Sequence, residues 1–123
     1  MDAPPPRDAP IAPWDIVRVD FPFADDATSR KRPALVMATP SATERFSIIW
    51  VMMITSAKHG HWPLDVPVSD HRLGGLSHAC VVRIGKIAAL DSRVATRIGE
   101  LASPDRAKVS AALRAVLDRA LAG

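Results

Sequence analysis

Ile48-Ile49-Trp50-Val51-Met52-Met53-Ile54-Thr55-Ser56 is the most strand-like stretch of the chain. Its β-branched and aromatic residues favour an extended backbone over a helix, and the strand is expected over 46–54. Its apolar run stops at two hydroxyls. Upstream, Ser29-Arg30-Lys31-Arg32-Pro33-Ala34-Leu35-Val36-Met37 carries a basic knot straight into a second strand. Residues 34–38 are apolar throughout, so both faces of that strand should be covered. If the two strands pair antiparallel, an arginine at the start of one meets a Thr-Ser pair at the end of the other. A fixed cation beside hydroxyl donors suits a phosphate.

The remaining chain reads outward from this pair. Residues 15–21 alternate, with Val17, Val19 and Phe21 on one face and Arg18 and Asp20 on the other. That is a half-buried strand ended by Pro22. Residues 24–31 form a polar loop. Thr39-Pro40-Ser41 reads as a break. Residues 64–68 form a short strand that Pro67 confines to an edge. Gly74-Gly75-Leu76 is a turn. Residues 79–84 form a strand interrupted by Gly85 as a bulge, and 87–90 continue extended. Residues 94–101 read as a short helical turn and then a short strand.

One clear helix opens at Ser103-Pro104-Asp105, with Ser103 as N-cap, Pro104 in the first turn and Asp105 against the dipole. Val109, Leu113, Val116, Leu117 and Leu121 share one face. Burying all five contributes roughly 10 kcal/mol at most, enough to hold the helix on a sheet. Self-association is the alternative use of that face. The expected fold is mainly β with a C-terminal helix, its short strands closing into a small barrel.

The chain has 123 residues, 48% of them hydrophobic, and a net charge of +3. This fits one domain over residues 14–123 and favours an acidic partner only mildly. Residues 1–13 hold five prolines and are expected to be a disordered tail. The single cysteine, Cys80, excludes an intrachain disulfide and reads as a buried thiol. No run approaches the length of a membrane span, and no signal-peptide core opens the chain, so a cytoplasmic protein is expected.

The order of these pieces resembles the MazF/PemK (Kid) family of toxin endoribonucleases along residues 14–121. Trp14-Asp15-Ile16-Val17 stands where the family opens with Gly-Asp and a strand. Arg32-Pro33-Ala34-Leu35-Val36 matches its Arg-Pro and Val-rich strand, and Ile54-Thr55-Ser56 matches its strand ending in Ile-Thr. Val82-Arg83-Ile84 through Asp91-Ser92-Arg93 and the terminal helix follow in place. The resemblance implies a compact SH3-like barrel of the CcdB/PemK type, working as a homodimer. It implies cleavage of single-stranded RNA with no metal or other cofactor, and silencing by a cognate antitoxin with an acidic disordered tail. The implied reaction is attack of a ribose 2′-hydroxyl on its own phosphate, leaving a 2′,3′-cyclic phosphate and a 5′-hydroxyl. DNA lacks the nucleophile.

By the same resemblance Arg32 stabilises the phosphorane and Thr55 donates to a phosphate oxygen, with Ser56 assisting. Arg30, Lys31, Arg83 and Lys86 are expected to bind RNA. The plainer alternatives are a surface charge for Arg32 and an ordinary strand end for Thr55. For Arg30 and Lys31 the alternative is a solvated loop, and for Arg83 a solvent-facing strand charge. Some family members carry an aspartate, proposed as general base, where this chain has Gly85. Trp14, Lys86, Ala88 and Ala89 also depart from the pattern. His59, His61, His71 and His78 are chemically able to fill the gap, though each also reads as a residue without catalytic duty. His59-Gly60-His61 is half a metal site with no third ligand at a recognisable spacing. Trp62 either stacks on a base or anchors its loop. Two other functions stay open: a non-enzymatic toxin acting on a protein such as gyrase, and a lapsed module that only binds RNA or an antitoxin.

Overall fold

A computed structural model describes residues 10–20, 31–42 and 47–123. Arg30, Phe21, Phe46, the expected 24–31 loop apart from Lys31, and all but the last residues of the proline-rich tail fall outside them. The strands are β1 (Asp15–Val19), β2 (Arg32–Ala42), β3 (Ser47–Ser56), β4 (Val66–Pro67), β5 (Cys80–Asp91) and β6 (Thr96–Glu100). A 3-10 turn (Ser92–Val94) precedes β6, and helix α1 (Ser103–Ala122) closes the chain. All strand pairs are antiparallel, in the order β4-β5-β3-β2-β1-β6, so β4 is an edge as Pro67 requires. The sheet curls into a half-barrel with helix α1 packed against it.

Alternation along the strands produces two cores. Ile16, Leu35, Met52, Ile54, Val82, Ile84, Leu101 and Val109 pack together on one side, helix included. Val17, Val19, Ala34, Val36, Val51 and Met53 pack on the other. Ala34, Leu35 and Val36 are fully buried, as an uninterrupted apolar strand with both faces covered should be.

Three boundaries differ from expectation. β2 runs through Thr39-Pro40-Ser41, absorbing the proline in register shifts between Val36 and Ser41 rather than stopping. β5 is one strand: Met52 faces Ile87 and Met53 faces Arg83, so residues 84–86 bulge at the expected glycine. Helix α1 begins at Ser103 itself, capped by Ala102 with no side-chain bond. Asp105 is buried and accepts from the Ser69 backbone N–H at 2.8 Å and its hydroxyl at 2.9 Å, tying the helix to the segment after β4. The helix also buries less than its pattern suggests. Val109 is buried and Leu113 partly so, but Val116, Leu117 and Leu121 are exposed, because the helix outruns the half-barrel.

Trp14, where the resemblance expects a glycine, has φ +77°, a left-handed conformation that a Cβ disfavours. Packing and hydrogen bonds hold it there. Its N–H donates to Val36 O at 2.8 Å, its carbonyl accepts from Leu101 N at 2.9 Å, and Arg106 lies over its ring. Trp14→Gly and Trp14→Ala both lose that packing, but only alanine keeps the backbone strain. The glycine variant is therefore expected to be the more stable by about 1–2 kcal/mol in urea unfolding, inverting the usual order of the two residues.

The turn before β5 is pinned just as tightly. Gly75 has φ +72°, and a Cβ there would sit 2.1 Å from Ile98 O on β6. This close approach fixes where Leu76, Ser77 and His78 emerge.

Candidate functional site

The register brings the two sequence segments together. Ala34 faces Met53, and the same register carried two residues onward sets Arg32 across from Thr55. On the other side of β2, Arg18 faces Pro33. The strand ends and two loops enclose a cleft of about 220 Å³. Arg18, Lys31 and Arg32 supply its cations, and Thr55, Ser56 and Ser77 its hydroxyls. His59 and His78 add two imidazoles, and Cys80 a thiol. Among the described residues lining it there is no carboxylate.

Two details give this cleft its chemistry. Arg32 Nε is buried and has no hydrogen-bond partner among the described residues. A buried donor left unmet is costly, and an anion in the cleft would satisfy it. Thr55 is only 7% exposed, yet its Oγ1 lies 3.1 Å from His59 Nδ1. A tight turn sets that contact: His59 N donates to Ser56 O at 3.0 Å.

Arg83 and Lys86 do not line the cleft. Arg83 is buried, not solvent-facing, and its Nε and Nη2 are occupied. Its Nε and Nη2 reach the two oxygens of Asp65 at 3.3 and 3.0 Å, and Nη2 also donates to the carbonyls of His59 and Gly60. The Trp62 ring covers the guanidinium at 4.5 Å, with Lys86 on the ring at 5.3 Å. Arg83 thus forms a clamp with Asp65 and the two loop carbonyls, outside the cleft. The pair organises the 57–65 loop that carries His59, and Trp62 anchors that loop. Burial pushes the Asp65 carboxyl up. The Arg83 bonds, the Trp62 N–H and the charges of Arg83 and His61 outweigh it, leaving the carboxyl below its ordinary range.

Arg18 went unassigned in the sequence, where it was merely the polar side of an alternating strand. Its position one strand over from the Arg32-Pro33 step was available only once the β1–β2 register was known. His61 and His71 do not line the cleft. Among the described residues, no three His, Cys, Asp or Glu side chains come together to hold a metal ion.

A curled antiparallel half-barrel with one C-terminal helix, and at its strand ends a cationic cleft lined by no carboxylate among the described residues, defines the class of small β-protein to which the chain belongs. Residues 12–117 match the model of the PemK-like, MazF-like toxins of type II toxin-antitoxin systems, and the chain belongs to that family. No curated protein matches it. Among solved structures it is similar to MazF from Deinococcus radiodurans, with a TM-score of 0.69 and 24% identity over 90% of this chain and 99% of that one. It is also similar to an endoribonuclease in complex with its cognate antitoxin from a mycobacterial species (TM-score 0.64, 18% identity, 89% and 96% covered). The Mycobacterium tuberculosis toxin MazF-mt6 follows at TM-score 0.61 and 18% identity, with 83% and 95% covered. None of the described helices is long and apolar enough to cross a membrane.

Proposed function

We propose that this toxin is a metal-independent endoribonuclease that cuts single-stranded RNA to a 2′,3′-cyclic phosphate and a 5′-hydroxyl. The observation that carries the reading is the unpartnered, buried Arg32 Nε across from Thr55, in a cleft with no described carboxylate. The nucleophile belongs to the RNA, so the protein needs no nucleophilic side chain. Its task is to hold the scissile phosphate and stabilise the charge that grows on it. Arg32 meets the non-bridging oxygens with its planar donors, and Thr55 donates its hydroxyl, with Ser56 beside it.

Arg18 and Lys31 hold neighbouring phosphates along the strand. Arg18→Ala is therefore expected to weaken RNA binding and to reduce the slope of log affinity against log salt by about 0.7. Filter binding across a salt series reads this; an unchanged slope removes Arg18 from the interface. The same basic cleft suits the acidic segment of a cognate antitoxin. The protein works in the cytoplasm as a homodimer, and sedimentation at micromolar concentration checks the assembly.

The deciding experiment incubates purified protein with single-stranded RNA in EDTA. Cleavage to 2′,3′-cyclic ends, lowered about 10²–10³-fold in Thr55→Ala, is expected. Intact RNA, or a Thr55→Ala variant as active as its parent, defeats the proposal. Growth arrest with DNA breaks and unbroken RNA would point to a protein target such as gyrase instead.

A further inference from the structure

We propose that His59 takes the proton from the attacking 2′-hydroxyl and that His78 returns one to the departing 5′-oxygen. This rests on the endoribonuclease reading above and supplies the acid–base pair that reading lacks. In-line transfer needs both. The 2′-oxygen must lose a proton as it bonds to phosphorus, and the 5′-oxygen must gain one as its bond to phosphorus breaks.

The position where a carboxylate base would be sought supplies none. Gly85 has no side chain, and a Cβ placed there would meet the Trp62 ring at 3.4 Å, on the clamp rather than in the cleft. The described lining offers only three groups that exchange protons readily: His59, His78 and Cys80. Burial pushes the Cys80 thiol up, so it keeps its proton at neutral pH. The cations sharing the space, Arg18, Lys31 and Arg32, hold charge rather than exchange it. Asp65 stands behind the His59 loop and is engaged by Arg83. Imidazole is left as the group able to act as both acid and base here.

His59 is also the one held in place. Nδ1 lies 3.1 Å from Thr55 Oγ1, while the backbone N–H is bonded to Ser56 O and the carbonyl accepts from Arg83. One tautomer serves both neighbours. With the proton on Nδ1, His59 donates to Thr55 Oγ1, and the only hydrogen of Thr55 is free for the phosphate. Nε2 then carries the lone pair that takes the 2′-proton. Taking the 2′-proton onto Nε2 leaves every one of these bonds intact, so no group has to reorganise during the step. His78 enters from the approach to β5, with Nδ1 2.9 Å from Ser77 Oγ; as the imidazolium it gives Nδ1–H to that hydroxyl and keeps Nε2–H for the 5′-oxygen, becoming neutral as the proton leaves. Both imidazoles are on exposed residues, so replacing them removes no core packing.

The test is single-turnover cleavage, in EDTA from pH 5 to 9, of an RNA oligonucleotide spanning a cut site first mapped with the parent protein. A second oligonucleotide carries sulfur at the 5′-bridging position, which departs without a proton. His59→Gln is expected to be slowed about 10²–10⁴-fold on both substrates and to lose the acid limb of the profile. His78→Gln is expected to be slow on the oxygen substrate and restored on the sulfur one. A His59→Gln profile matching the parent, or its rescue by sulfur, overturns the assignment. A parent protein that leaves RNA uncut refutes the nuclease reading itself, before any variant is compared.

Discussion

Arg32→Ala is expected to lower RNA cleavage by at least about 10³-fold while leaving the fold as stable as the parent or more so. The two halves of that outcome come from one observation. Arg32 Nε is buried without a partner among the described residues, and Arg32 enters no described ion pair. An unmet buried donor costs about 1–3 kcal/mol, so removing it relieves the free protein. Once RNA is bound, the same donor faces a phosphate whose charge rises toward the transition state, and its absence is felt in the rate. Stability held in reserve for a ligand is a mark of a binding site, and a surface arginine would show neither effect. Arg32→Lys separates charge from geometry. An ammonium restores a point charge but not two coplanar donors, so recovery should be partial. Thermal melts of the free variants and single-turnover rates check both halves. Cleavage within about tenfold of the parent would remove Arg32 from the chemistry.

Legibility of the fold followed the period of the apolar pattern. The period-two signal in β1 and the unbroken apolar runs in β2 and β3 placed these strands correctly, because strands buried on one or both faces leave that imprint. Pro67 and Gly85 marked an edge and a bulge for reasons of backbone chemistry alone. Pro40 misled. A proline ends a strand only where its missing N–H was needed, and the shifted register of β2 removes that need. The helix misled differently. Its apolar face is longer than the sheet surface available to it, and periodicity reports a face, not what covers it.

At the site, local motifs were legible and long-range partnerships were not. Arg32 and Thr55 announce themselves at strand ends, and an antiparallel register is enough to bring them together. Arg18 needs the third strand in register, and His59 needs the turn after β3 to fold back on Thr55. The ion pair of Arg83 was not legible, because Asp65 lies eighteen residues away and on a loop. A cation that looks free in sequence is bound or free only according to what the fold sets beside it.

Arg83→Ala is expected to destabilise the protein by about 3–5 kcal/mol, because it strands the Asp65 carboxylate in a site where its side chain is 2% exposed. It should also slow cleavage by releasing the carbonyls of His59 and Gly60, which takes His59 off Thr55. A phosphate-binding arginine and a clamp make opposite claims about salt. If Arg83 touched RNA, its loss would reduce the salt slope of binding, as for Arg18→Ala; as a clamp it leaves the slope unchanged. Arg83→Met with Asp65→Leu tests the clamp further. Replacing both charges with apolar groups should return much of the stability, since the desolvation cost goes with the pair. Cleavage should stay low, because nothing then holds the loop carbonyls. The pH dependence carries a sign. The folded carboxyl of Asp65 lies below its ordinary range, so its contribution is complete above that range and is lost as the pH falls through the folded value. Acid unfolding of the parent should therefore include a component that Asp65→Asn lacks. A pair that acts on the rate only by way of a loop leaves the salt slope of binding untouched, and that result separates it from a phosphate contact.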